Sequence, residues 1–265
     1  MIEKKEFMID LEPEEFRRLG HELVDELTNF LHNIDELPVA PNANPRKIKD
    51  LIKDRKFTKN GLDAKNLTTL LVTLLSKNTC LNGHPRMWGY ITGSPNPIGA
   101  LADLIATTVN PNLAGWNGAP LATEIETQTV SWIAELLGYP KTASGIITSG
   151  GNMANFIGVL AARKAMADWD IRNTGLNHRS MIIYASQETH AWIEKAADLF
   201  GFGTQSIHYI DTNVDKTMCP DNLVAQIKED RAKNLYPFIV VGSAGTTSIG
   251  AIDPLPAIAK ICKVN

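Results

Sequence analysis

Gly145-Ile146-Ile147-Thr148-Ser149-Gly150-Gly151-Asn152 is the stretch from which the fold is read. It passes from β-branched residues through two hydroxyls and two glycines into helix formers, the pattern of a strand handing over to a helix. The handover recurs twice: Met181-Ile182-Ile183-Tyr184 leads to Glu188-Thr189-His190, and Phe238-Ile239-Val240-Val241 leads to Gly245-Thr246-Thr247. Strands over 146–148, 181–184, 206–210 and 238–241 are predicted to alternate with helices over 154–167, 191–199, 221–234 and 254–262. That alternation predicts an α/β fold with a mainly parallel sheet flanked by helices. In such sheets ligands collect at the C-terminal strand edge. Three edges offering a phosphate cradle, an imidazole and hydroxyls therefore predict one cofactor pocket.

Upstream of residue 97 the alternation is missing. Pro13 followed by Glu14 and Glu15 reads as a helix start, and Phe16, Leu19, Leu23, Leu27, Phe30 and Leu31 recur at helical spacing, so one apolar stripe needs a partner. Residues 38–45, with three prolines and two asparagines, are expected to cross open ground. A second helix is predicted around 67–76. An aromatic loop, His84-Pro85-Arg86-Met87-Trp88-Gly89-Tyr90, precedes helices over 97–109 and 120–137, the latter ended by Gly138 as C-cap.

Composition excludes several classes. A 265-residue chain with 44% hydrophobic and 21% charged residues can bury a large core. A net charge of −3, with Lys and Arg scattered, argues against nucleic acid. Cys80, Cys219 and Cys262 stand far apart, which fits reduced, packed thiols in a cytoplasmic protein. No apolar run reaches the roughly 20 residues that span a bilayer, and the six histidines form no metal-like pair with each other or with the cysteines, so no membrane and no metal are expected.

In Ser149-Gly150-Gly151-Asn152 the glycines let backbone approach a ligand, and the free N–H groups of the following helix would hold a phosphate, helped by the Ser149 and Asn152 side chains. A glycine turn capped by Asn152 would use the same letters. No Gly-Lys-Ser/Thr and no Gly-x-Gly-x-x-Gly is present, against nucleoside triphosphates and dinucleotides. The His190 imidazole can stack on a flat heteroaromatic ring or simply start a helix. Asp253-Pro254 reads as an N-cap with proline at the first helical position, whereas Thr246 and Thr247 are two hydroxyls at a strand end that need partners.

These residues carry a resemblance. The sequence resembles the group II pyridoxal-phosphate-dependent amino acid decarboxylases, of aspartate aminotransferase-like fold (fold type I). His84-Pro85-Arg86, Asn110-Pro111-Asn112, Pro120-Leu121-Ala122-Thr123-Glu124-Ile125-Glu126, the Ser149 turn, Leu160-Ala161-Ala162-Arg163, Thr189-His190, Gly245-Thr246-Thr247 and Asp253-Pro254-Leu255 all fall in that family's order. The resemblance implies pyridoxal 5'-phosphate as cofactor, with its phosphate on Ser149, Gly150, Gly151 and Asn152, its ring under His190, and one of Thr246 and Thr247 beside the ring. It implies a substrate entrance lined by Tyr90 and Trp116, close in pattern to the aromatic amino acid branch, and a homodimer acting on a small-molecule amino acid. It also implies a helical and loop segment over 1–96 that takes part in dimerisation, a cofactor-binding large domain over 97–265 that is incomplete, and an absent C-terminal small domain.

One departure bears on activity. The family follows these motifs with an Asp for the pyridinium nitrogen and a His-Lys pair whose lysine holds the cofactor, and none of the six histidines here precedes a lysine. The 265-residue polypeptide is therefore expected to be inactive by itself and to be the N-terminal part of a decarboxylase. Two alternatives stand beside this reading: a non-enzymatic fragment that pairs with a partner subunit, and another fold type I lyase or transaminase.

Overall fold

A computed structural model describes residues 11–53 and 62–265. The chain divides into two compact units, Met1–Asn110 and Pro111–Asn265.

In the first unit, α1 (Pro13–His32), α2 (Pro45–Ile52), α3 (Ala64–Asn78) and α4 (Pro97–Val109) form where the local chemistry favours them. Asn44, Asp63 and Asn96 cap α2, α3 and α4 by accepting from Lys47, Asn66 and Ile98 N–H, and proline opens α1, α2 and α4. The apolar stripe of α1 finds its partner in α3: Leu23, Leu27 and Phe30 line a groove of about 420 Å³ with Leu71, Val72 and Leu75. His84 is buried, its Nε2–H donating to Leu37 O at 3.0 Å while its Nδ1 accepts from Arg86 N–H at 3.0 Å. Both ring nitrogens of this histidine are spent on holding two loops together. Along α4 the apolar residues Ile98, Leu101, Leu104, Ile105 and Val109 are exposed.

The second unit contains α5 (Pro120–Leu136), α6 (Gly151–Met166), the one-turn α7 (Ile171–Thr174), β1 (Met181–Ser186), α8 (Trp192–Leu199), β2 (Ile207–Ile210), α9 (Pro220–Ala232), β3 (Tyr236–Val240) and α10 (Leu255–Val264). The three strands form a parallel sheet in the order β2-β1-β3. Every residue of β1 is buried, as a central parallel strand covered on both faces requires. Met181, Ile183 and Ala185 pack with Val159 of α6 and with Ile193, Ala196 and Ala197 of α8. Ile182 and Tyr184 face the opposite way, onto Leu223 and Ile227 of α9 and Ile258 of α10. The unit is thus layered helix, sheet, helix, and a fully buried side chain such as Ile183 contributes about 1.5–3 kcal/mol. Pro237 lacks an N–H for the ladder, and the β1–β3 register shifts immediately after its pairing with Ile182.

A buried polar cluster braces the second face. Asp230, fully buried on α9, accepts from the Tyr184 hydroxyl at 2.8 Å, from His208 Nδ1–H at 2.7 Å and from Gln226 Nε2 at 3.0 Å. Burial, reinforced by donation to Asp230, pushes the Tyr184 phenol well above its usual range.

Several expectations are corrected. Residues 146–148 form no strand among the described residues, and Ile146 and Ile147 are exposed; Ile147 N–H is taken instead by Glu126 Oε1 at 2.8 Å. Helix α2 begins at Pro45, where the sequence reading ended its loop. Asp253 does not cap α10, which starts at Leu255 with no side-chain cap. No side chain caps α6 either, so Asn152 is not a cap. The cysteines are free thiols, but Cys80 and Cys262 are exposed rather than packed.

Candidate active site

Parallel pairing places the C-terminal ends of β1 and β3 side by side, because Tyr184 of β1 faces Val240 of β3. The loops that leave these ends carry His190 and Thr246-Thr247.

Loop 186–190 is shaped by its own hydroxyls. Thr189 Oγ1 accepts from Ser186 N–H at 3.1 Å, and Thr189 N–H donates to Ser186 O at 3.0 Å, closing a turn. His190 follows, exposed, with Nδ1 accepting from Trp192 N–H at 3.2 Å. That bond fixes the ring against the start of α8 and leaves Nε2 and the ring face open.

The two threonines are not equivalent. Thr246 is buried, and its Oγ1 accepts from Ala251 N–H at 3.1 Å while its N–H and C=O bind Ala251 O and Gly250 N–H. Its hydroxyl is part of the turn. Thr247 lies exposed at the tip. The exit of this loop is held by Asp253, which is 2% exposed: Oδ1 accepts from Met218 N–H at 2.7 Å and Oδ2 from Ser243 N–H at 2.8 Å. A carboxylate with both oxygens on backbone donors ties the segment after β3 to the one after β2.

At the start of α6 the geometry fits a phosphate. Gly150 takes φ +128°, a value suited to glycine alone, and neither Gly150 nor Gly151 has an atom within 4 Å of where a Cβ would stand. The sixteen-residue helix behind them has no side-chain cap, so its first N–H groups are available to an anion. These features are what a pyridoxal phosphate group would need. Ser149 and Asn152 flank the glycines.

The two aromatics that the family resemblance assigns to the substrate entrance fall in separate units. Tyr90, in the first, is exposed with φ +62°. Trp116, in the second, occupies a 3₁₀ turn, Trp116–Gly118, and its Nε1–H donates to Glu124 Oε1 at 2.8 Å. Sequence reasoning had left Glu124 and Glu126 without roles; they hold Trp116 and the backbone entering the glycine turn. Their spacing of two within one motif was the available signal. Among the described residues no group of three or more His, Cys, Asp or Glu is arranged for a metal ion, and no helix is long and apolar enough to cross a membrane.

A helix-sheet-helix unit with a glycine cradle and an imidazole at a strand edge is compatible with the fold of a pyridoxal-phosphate-binding protein. Residues 45–265 match the pyridoxal-dependent decarboxylase conserved domain, and the chain belongs to that family, whose cofactor is pyridoxal 5'-phosphate. It is 31% identical to the aromatic-L-amino-acid decarboxylase of Bacillus atrophaeus over 96% of this chain and 51% of that protein. It is 28% identical to tyrosine decarboxylase 4 of Petroselinum crispum over 97% of this chain and 51% of that protein. Among solved structures, Oryza sativa TDC with PLP and tryptamine superposes with a TM-score of 0.83 at 25% identity, covering 96% of this chain and 54% of that one. The chain spans about half the length of the curated relatives it matches.

Proposed function

We propose that this chain supplies the phosphate-binding and ring-binding half of an enzyme that removes the α-carboxylate of an L-amino acid, an aromatic one, as carbon dioxide. The observation that carries the reading is the uncapped, glycine-opened start of α6 in a unit where the loops bearing His190 and Thr247 leave neighbouring strand ends. When bound, pyridoxal phosphate supplies an electron sink for the carbanion left as carbon dioxide departs.

The chain's own residues do the holding. Backbone N–H groups from Gly151 onward, with Ser149 and Asn152, bind the phosphate. The His190 ring, pinned through Nδ1, covers one face of the pyridine. Thr247 is the hydroxyl beside the ring, since that of Thr246 is engaged in its own turn. Trp116, held by Glu124, is the aromatic of this unit assigned to the substrate entrance. This reading gives no lysine of residues 1–265 a bond to the cofactor. The exposed apolar residues of α4 support a homodimer, and the free thiols support a cytoplasmic setting.

The test has two arms. The 265-residue chain is titrated with pyridoxal phosphate, followed by cofactor absorbance and tryptophan quenching, with saturable binding expected; absence of binding refutes the site. The protein carrying the family's full length is then given L-tyrosine, L-tryptophan, L-phenylalanine and L-glutamate. Carbon dioxide with the aromatic amine is expected, whereas turnover of glutamate alone refutes the aromatic assignment. An aldehyde product would align the protein with its relatives named phenylacetaldehyde synthase instead of the amine-forming decarboxylases.

A further inference from the structure

Three loops of the second unit meet at one carboxylate. Glu188 lies two residues before His190, with its side chain 22% exposed. Its Oε2 accepts from Ser248 Oγ at 3.0 Å, and its Oε1 lies 4.0 Å from Lys216 Nζ. Ser248 directly follows Thr247. Lys216 stands at φ +65° in a tight hairpin after β2, closed by the Thr212–Met218 bridge and by Asn213 N–H to Thr217 O at 2.8 Å.

Internal bonds at Thr246 make the turn after β3 stiff, but they do not locate its tip. Among the described residues, the tip segment 247–249 makes one side-chain hydrogen bond to another loop, and it goes to Glu188. Loop 186–190 likewise reaches across to that turn through Glu188, while its remaining side-chain bonds close on Ser186 and on Trp192. Hydrogen bonds to a charged acceptor are the strong class, and here the acceptor side chain is itself half-buried although Ser248 lies exposed.

We propose that Glu188 is a positioning residue that sets the spacing between His190 and Thr247 across the cofactor face. The proposal rests on the reading of that face as the pyridoxal phosphate site. Glu188 touches neither cofactor nor substrate; it acts by holding the His190 loop against the Thr247 turn, with Lys216 as an electrostatic strut from the third loop.

The experiment uses the 265-residue chain with Glu188→Ala, Glu188→Gln, Ser248→Ala and the Glu188→Ala/Ser248→Ala double variant. Amide signals are recorded by NMR without cofactor, and pyridoxal phosphate affinity is measured separately. Glu188→Ala is expected to shift the amides of 246–250 and Ser248→Ala those of 187–190. Each should weaken cofactor affinity about tenfold with little change in melting temperature, and the double variant should be no worse than the singles. Glu188→Gln, which keeps an acceptor but loses the charge, should fall between wild type and Glu188→Ala. The proposal is overturned if Glu188→Ala leaves the 246–250 amides in place, if the two single effects add fully, or if affinity falls only in step with global stability. Failure of the wild-type chain to bind cofactor would refute the site reading alone, because the cross-loop shifts are read in its absence.

Discussion

Replacing Asp253 separates two explanations that share the same letters. If Asp253 were an N-cap before Pro254, Asn or Ser would serve nearly as well, and Ala would cost about 1 kcal/mol. The structure instead uses both carboxylate oxygens on backbone donors at 2.7 and 2.8 Å, with Met218 fully buried. Asp253→Ala strands two N–H groups, each costing about 1–3 kcal/mol when buried without a partner, so a loss of about 2–6 kcal/mol is expected. Ser243 is only partly buried and belongs toward the low end of that range. Asp253→Asn keeps one acceptor and turns its amide N–H₂ on the other donor, for an expected loss of about 1–3 kcal/mol. Hydrogen exchange reads the effect where it arises. The Met218 and Ser243 amides should exchange about thirtyfold faster for a local loss of about 2 kcal/mol, alongside a lower urea midpoint. If Asp253→Asn and Asp253→Ser leave both amides as protected as wild type, the buried bridge is refuted and the capping explanation returns.

Three further outcomes follow from other sites. The Tyr184 phenol resists ionisation, so its folded pKa lies above the unfolded value near 10; its stabilising effect is complete below that pH and falls away as pH rises beyond it. Ultraviolet titration of wild type against Tyr184→Phe should show the variant missing the most alkaline phenolate component, and a missing component near pH 10 would contradict the buried bond. Gly150→Ala, at φ +128°, should cost about 1–3 kcal/mol in thermal unfolding and weaken anion binding, while Gly151→Ala, at the first helical position with open space around it, should be tolerated. Equal effects at the two glycines would refute the strained cradle. Asp230→Ala leaves Tyr184, His208 and Gln226 without their common acceptor and should destabilise by about 3–5 kcal/mol, measured by chemical denaturation; a change under about 1 kcal/mol would show that the cluster adds nothing.

The legible parts of the chain were those whose cause is local. Pro13, Pro97 and Pro120 open helices where their fixed φ suits the first turn, and Gly138 ends α5 at φ +76° with its N–H on Glu135 O. The buried run Met181–Ser186 reads as a central strand because no polar residue interrupts it until the ligand edge. Pro45 carried the same start signal, with Asn44 as cap, but the surrounding prolines and asparagines read more strongly as loop. Residues 146–148 show the converse: β-branched composition states a preference, and a strand exists only where a neighbour completes the ladder. The backbone there instead takes Glu126 as a partner, 21 residues away.

At the candidate site the same division separates chemistry from mechanics. The glycines at 150 and 151, the imidazole at 190 and the hydroxyls at 246 and 247 announce themselves by residue type beside a strand end. The groups that hold them do not: Asp253 reaches Met218 across 35 residues, and Glu188 reaches Ser248 across 60. No periodicity encodes such a pair, because an acid facing a backbone N–H or a hydroxyl looks in sequence like any surface acid. In the proposed site these carboxylates set the spacing of the loops after β1, β2 and β3, and a rigid planar cofactor held between two of those loops would tolerate little variation. Substitutions at Glu188 and Asp253 should therefore act on cofactor affinity through geometry, leaving the ring-facing and phosphate-facing groups chemically intact.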